Sequence, residues 1–270
     1  MDNRAIGVFD SGLGGLTAVK ELEKILPRER IVYFGDTGRV PYGTRSHETI
    51  LRYARQDMDF LLSRNVKAVL AACGTVSSVA KSAGEQLPVP YVDVIDATAR
   101  AAAGATRNGK VGVIATQATV GSDSYRKALL GIDHKLEVYS QPCPLFVPLV
   151  ENAFISQQDE VPYLVAQRYL APVREAGVDT LILGCTHYPI LAPIIASIMG
   201  RGVTLIDSGR EAALSLADTL RERGLLCDGA QPPENSFFVT DMPENFTSVA
   251  ELFLGHSVRG RTERIDIENE

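Results

Sequence analysis

Two of the four cysteines in this 270-residue chain share a setting with chemical potential. The segment VKAVLAAC, ending at Cys73, overlays VDTLILGC, ending at Cys185, at an offset of 112 residues. Each is a short apolar run leading without a gap into a cysteine, with a helix expected to follow. A thiol at a helix N-terminus has its thiolate stabilised by free N–H groups and by the positive end of the dipole, so its pKa falls from about 8.5 towards neutrality. A thiolate and a thiol facing each other across a carbon with an acidic hydrogen can remove a proton from one side and return one on the other. That inverts the stereocentre without a cofactor. Because the roles exchange with direction, both groups should be of one residue type. Cys143, beside Pro142 and Pro144, and Cys227, in LLCDGAQPP, lack this placement and read as plain free thiols.

The neighbours of the two thiols suit such work. Asp10 closes a first apolar run in FDSGLGG, where Gly12, Gly14 and Gly15 allow the backbone to turn tightly around a small anion before a helix near Leu16. A dinucleotide fingerprint anchored at Gly12 would need glycine where Thr17 stands, and no phosphate-binding G-x-x-x-x-G-K-[ST] is present. The expected anion is therefore small, such as a carboxylate. Cys185 is followed by Thr186-His187-Tyr188-Pro189, which sets a hydroxyl and an imidazole beside the thiol. No CxxC pair occurs, and the further ligands that zinc requires are not found, so no metal is expected.

The thiols need elements to hold them. Short apolar runs at 5–9, 31–34, 68–71, 91–95, 111–115, 180–183 and 203–206 read as strands buried on both faces, which favours parallel pairing beneath helices. Between them Ile50, Leu51, Ala54, Met58, Leu61 and Leu62 recur at helical spacing, as do Leu214, Leu216, Ala217 and Leu220. The class is α/β. Two further overlays support a duplicated unit: IGVFDS on VGVIAT at an offset of 105, and VIDATARAA on LIDSGREAA at 111, which aligns Asp96 with Asp207. Asp96 and Asp207 also read as helix caps at strand ends. The expected architecture is two similar parallel-sheet α/β domains related by pseudo-twofold symmetry, with the active site in the cleft between them. The first would comprise residues 1–96 and 208–270, the second 97–207. Open parallel sheets bind ligands at the C-terminal ends of their strands, where Cys73 and Cys185 fall.

Composition narrows the partners. With 27 Lys+Arg against 33 Asp+Glu the net charge is −6, which supplies no basic field for nucleic acid or anionic membranes. No run approaches the roughly 20 apolar residues of a bilayer span, and the start MDNRAIGVFD lacks the features of a signal peptide. A cytoplasmic location follows as the expectation, with reduced thiols. The charged end GRTERIDIENE is expected to fray.

The stretches GVFDSGLGGLTAVKEL, YFGDTGRVPYGTRS, CPLFVPLVE, DTLILGCTHYP and LIDSG, in this order, closely resemble the cofactor-independent glutamate racemases. The resemblance implies that Cys73 and Cys185 are the acid/base pair, with Asp10 assisting Cys73, and Glu151 and His187 assisting Cys185. It implies substrate contacts from Asp10, Ser11, Tyr42, Gly43, Gly74, Thr75, Thr186 and His187, and further ones from Thr116 and Thr119. It also implies no cofactor, glutamate as the small-molecule substrate, D-glutamate for peptidoglycan in the bacterial cytoplasm, and a homodimer. The related aspartate racemases carry an acidic residue where this chain has His187. Two departures stand out. Cys73-Gly74-Thr75 replaces the usual Cys-Asn-Thr, removing an amide side chain, and VIDATARAA lacks a Glu-Pro pair, with an effect expected on packing or hinge angle.

Overall fold

All seven apolar runs form strands in the computed structural model, which describes residues 2–229, 234–258 and 261–268. They are β1 (Ile6–Asp10), β2 (Ile31–Gly35), β3 (Ala68–Ala71), β4 (Tyr91–Asp93), β5 (Lys110–Ala115), β7 (Thr180–Leu183) and β8 (Thr204–Asp207). Three strands were not expected: β6 (Glu137–Pro142), β9 (Ser236–Val239) and β10 (Thr262–Arg264). All pairings are parallel, and they build a six-stranded sheet in the order β10-β9-β2-β1-β3-β4 and a four-stranded sheet in the order β6-β5-β7-β8. Two parallel α/β sheets are thus present. The helical spacings resolve as His47–Ser63, capped by the Ser46 hydroxyl accepting from the Thr49 N–H, and Ser208–Glu222.

Register exposes the duplication. Ile6 lies opposite Ala68 in the first sheet and Val111 opposite Thr180 in the second, so the overlays at 105 and 112 superpose equivalent pairs. The overlay at 111 does not. Ala71 pairs with Asp93, whereas Leu183 pairs with Asp207, which makes Asp93 the counterpart of Asp207. The caps agree. Asp93 accepts from the Ile95 and Asp96 N–H groups, and Asp207 from those of Gly209 and Arg210, while Asp96 instead forms an ion pair with Lys81. The sequence match was displaced by one helical turn, because β4 stops at Asp93 and Val94 and Ile95 already belong to the helix Val94–Ala105.

Two apolar cores hold the sheets. The larger joins one face of the first sheet to the second sheet through helices Leu16–Ile25, Val94–Ala105 and Ser208–Glu222. The smaller covers the opposite face of the first sheet with Phe9, Phe34, Phe60, Val69 and Met58. Ile265 and Ile267 are buried in that smaller core, just after β10. The described part of the charged stretch, residues 261–268, is therefore held by Ile265 and Ile267 instead of frayed, because two isoleucines alternating with charges give the segment one apolar face. Of LLCDGAQPP, the setting read for Cys227, residues 230–233 lie outside the described residues, while Cys227 itself is described as a free thiol. Among the described residues no helix is long and apolar enough to cross a membrane.

Candidate active site

β1 delivers Asp10 to the C-terminal edge of the first sheet, and the glycine loop behind it closes on that side chain. The Gly12 N–H donates to Asp10 Oδ2 at 3.1 Å, and the Gly15 N–H and the Cys73 thiol also face the carboxylate. The anion in the glycine cradle is thus Asp10's own carboxylate. Burial raises its pKa above the ordinary aspartate value, against the opposing charge of His187 and the backbone N–H groups.

Cys73 follows β3 and sits at the start of helix Gly74–Gly84, as the spacing requires. Its Sγ donates to Ser11 Oγ at 3.4 Å. The Val76 N–H in the first turn of that helix pulls the pKa down, but it is outweighed. Burial, reinforced by the Asp10 carboxylate, pushes the thiol up to about 12, so it is a held proton donor at neutral pH.

Cys185 follows β7, but no α-helix opens behind it. Thr186 and His187 lead into a 3₁₀ turn, Tyr188–Leu191, and the next α-helix begins at Ala192. Proline at 189 and again at 193 accounts for the delay. The positive partner of this sulfur is a side chain: His187 Nδ1 lies 3.9 Å from Cys185 Sγ, and His187 Nε2 lies 3.1 Å from Glu151 Oε1. Burial pulls the imidazole pKa down, yet the contacts with Cys185 and Glu151 outweigh it and hold it at about 10. Glu151, which composition alone reads as a solvated carboxylate, ends helix Phe146–Glu151 and keeps part of its surface in solvent while engaging the ring.

The two edges face a single cavity of about 400 Å³, and every residue named above as a candidate acid, base, assistant or substrate contact lines it. Ser11, Tyr42, Gly43, Gly74 and Thr75 come from the first sheet's side, and Thr116, Thr119, Glu151, Thr186 and His187 from the second's. Thr75 Oγ1 and Thr116 Oγ1 stand 3.3 Å apart across the cleft, and Thr116 Oγ1 donates onward to Thr119 Oγ1 at 3.0 Å. Tyr42 presents its ring and backbone rather than its hydroxyl. That hydroxyl donates to Asp36 and to Asp57, two fully buried carboxyls bridged by Arg39 at 2.6 and 3.0 Å. Burial, and then the neighbouring Asp36, raise Asp57 well above the ordinary aspartate pKa.

Sequence reasoning missed several contributors. Asp36, Arg39 and Asp57 brace the Tyr42 turn from behind, and they are scattered polar residues with no spacing that announces a cluster. Thr17, noted only for breaking a glycine pattern, donates its hydroxyl to Gly14 O and Thr186 O, both at 2.9 Å, and so ties the loop after Cys185 to the first sheet. Gly14 packs beneath that loop so closely that a Cβ would fall 2.1 Å from Thr186 Oγ1. Phe253 and the His187 ring meet nearly perpendicular, with centroids 5.5 Å apart. Cys143 is buried, with its carbonyl accepting from the Tyr188 hydroxyl at 2.8 Å, which is a packing role. Among the described residues no group of three or more His, Cys, Asp or Glu side chains could hold a metal.

A family model described as Asp/Glu/Hydantoin racemase matches residues 6–216. The chain belongs to this racemase family. As a family member it is an isomerase, and its similarity to curated relatives runs nearly end to end. It is 46% identical over 268 residues to a glutamate racemase of Geobacter metallireducens, covering 99% of this chain and 98% of the relative. Solved racemases share the fold. Glutamate racemase isoform RacE1 of Bacillus anthracis superposes with a TM-score of 0.94 at 38% identity, covering 98% of each chain. A Francisella tularensis glutamate racemase, solved in complex with D-glutamate, superposes with a TM-score of 0.92 at 43% identity over the whole of both chains.

Proposed function

We propose that the protein interconverts L- and D-glutamate by cofactor-independent proton transfer at the α-carbon, with Cys185 and Cys73 as the two bases. The observation that carries this reading is the pair of thiols at register-equivalent strand ends of two sheets, facing one cavity, each with its own polar partner. In the state described, the Cys185 sulfur beside the His187 imidazolium accepts the α-proton as the Cα–H bond breaks. The electron pair left on the α-carbon then takes the Cys73 thiol proton from the opposite face. One turnover leaves Cys185 as the thiol and Cys73 as the thiolate, and reversal or solvent exchange restores the start. Asp10 manages the proton of Cys73, while Glu151 orients His187 and stabilises its charge.

Ser11, Tyr42, Gly43, Gly74, Thr75 and Thr186, with Thr116 and Thr119, supply hydroxyl and backbone groups for a substrate rich in carboxylates. Glutamate is favoured by the curated relatives and by the D-glutamate complex of the Francisella tularensis racemase. The product then serves peptidoglycan assembly in the cytoplasm, as the resemblance implies. Gly74 supports a second reading, a broader or shifted amino-acid specificity, since it removes a side chain from the cavity wall. Circular dichroism of L-glutamate and L-aspartate with enzyme tests both. Inversion of glutamate, absent from Cys73→Ala and Cys185→Ala, is expected. Binding without inversion of either amino acid would overturn the enzymatic reading in favour of a silent homologue.

A further inference from the structure

Gly74 directly follows one candidate base and Gly184 directly precedes the other, and the two residues meet across the cleft. A Cβ built on Gly74 would lie 2.7 Å from the Gly184 carbonyl oxygen, closer than side-chain carbons stand to backbone atoms. Gly184 has no freedom to retreat. Its N–H donates to Ile114 O at 2.8 Å, and a Cβ at 184 would itself meet Tyr125 at 2.9 Å, Ile114 O at 3.0 Å and Ala115 at 3.1 Å. The residue ahead of Cys185 is thus fixed to β5, and any side chain at 74 must be accommodated by moving helix Gly74–Gly84, with Cys73 at its head.

From this contact we infer that Gly74 is a positioning residue: its missing side chain sets the spacing between the Cys73 and Cys185 sulfurs. The inference rests on the two-thiol reading above and adds to it a residue that acts through its backbone, without a polar group of its own. It also accounts for the departure from Cys-Asn-Thr. An asparagine here would bring its Cβ into the same carbonyl, so this cleft closes on a glycine and cannot hold an amide side chain unchanged. Separating the sulfurs by several tenths of an ångström handicaps the second proton delivery most, because the carbanion formed beside one sulfur must reach a donor that has moved away.

The test compares Gly74→Ala and Gly74→Asn with wild type in deuterated water. It measures inversion together with α-deuterium in recovered, uninverted glutamate. Inversion is expected to fall about 10-fold or more in Gly74→Ala. Exchange without inversion should fall less, so the ratio of exchange to inversion rises at least about 3-fold, an effect that general destabilisation would not produce. Iodoacetamide labelling followed by mass spectrometry should show Cys73 and Cys185 reacting faster while buried Cys143 stays protected, which marks a folded variant with an opened cleft. An unchanged ratio in a folded, active variant overturns the inference and leaves the racemase reading intact. Reactive Cys143 also overturns it, because Gly74 would then be a folding requirement. Absence of inversion in wild type is a separate result that removes the underlying reading.

Discussion

Glu151 Oε1 stands 3.1 Å from His187 Nε2, while the ring's other nitrogen faces the Cys185 sulfur at 3.9 Å. An imidazole held between a carboxylate and a sulfur is a stable imidazolium, and its pKa of about 10 against an ordinary 6.5 makes it a contributor to folding. A raised pKa gives stability that is complete below about pH 6.5 and is lost as pH rises through about 10. Wild type should therefore lose stability between pH 7 and 10, on the order of a few kcal/mol, seen as a falling thermal midpoint. His187→Gln should show a flatter pH dependence over that window. Equal slopes in differential scanning calorimetry would remove the imidazolium from the account.

Asp10 acts on Cys73 by charge. Burial is the larger reason for that thiol's pKa of about 12, and the carboxylate is the second. Asp10→Asn should lower the thiol pKa and accelerate iodoacetamide labelling of Cys73 several-fold at pH 9. It should also cost roughly 100-fold in kcat, the range for a lost acid/base assistant. Peptide-level mass spectrometry and initial rates check both. Unchanged labelling would mean that Asp10 only packs the loop.

Tyr42 braces one wall of the cavity through Asp36 and Asp57. Tyr42→Phe leaves two buried carboxyls short of a donor, at a cost of about 1–3 kcal/mol. Its hydroxyl points away from the cavity, so KM should rise several-fold while kcat moves little. Thermal unfolding with steady-state kinetics decides this. A kcat loss with KM unchanged would place the hydroxyl in the chemistry.

The strands that could be read in the sequence were the apolar runs, with the exception of β9, an inner strand of only four residues, three of them buried. β1, β3, β5 and β7 are nearly pure apolar runs, and their C-terminal ends carry Asp10 and both cysteines. β6 and β10 escaped because their residues are mostly polar and only Val138 among them is buried, so neither shows the apolar run or clean alternation that marks a strand. The site residues were legible where a motif clusters them, as in Asp10-Ser11 and Cys185-Thr186-His187. Thr17 and the Asp36–Arg39–Asp57 brace were not, since their roles arise only when distant segments meet. Two electrostatic expectations also failed for local reasons. The Cys73 pKa follows burial and Asp10 rather than the helix terminus, and Cys185 has a histidine where a helix was expected.

The central claim is that two thiols each serve one face of the α-carbon, and the isotope pattern of early turnover tests it most directly. With L-glutamate in deuterated water, the account predicts solvent deuterium at the α-carbon of D-glutamate and almost none in recovered L-glutamate. Labelling should mirror this from the D side, and Cys73→Ala and Cys185→Ala should each abolish inversion in both directions. Equal early labelling of substrate and product, or inversion surviving the loss of either cysteine, would contradict it.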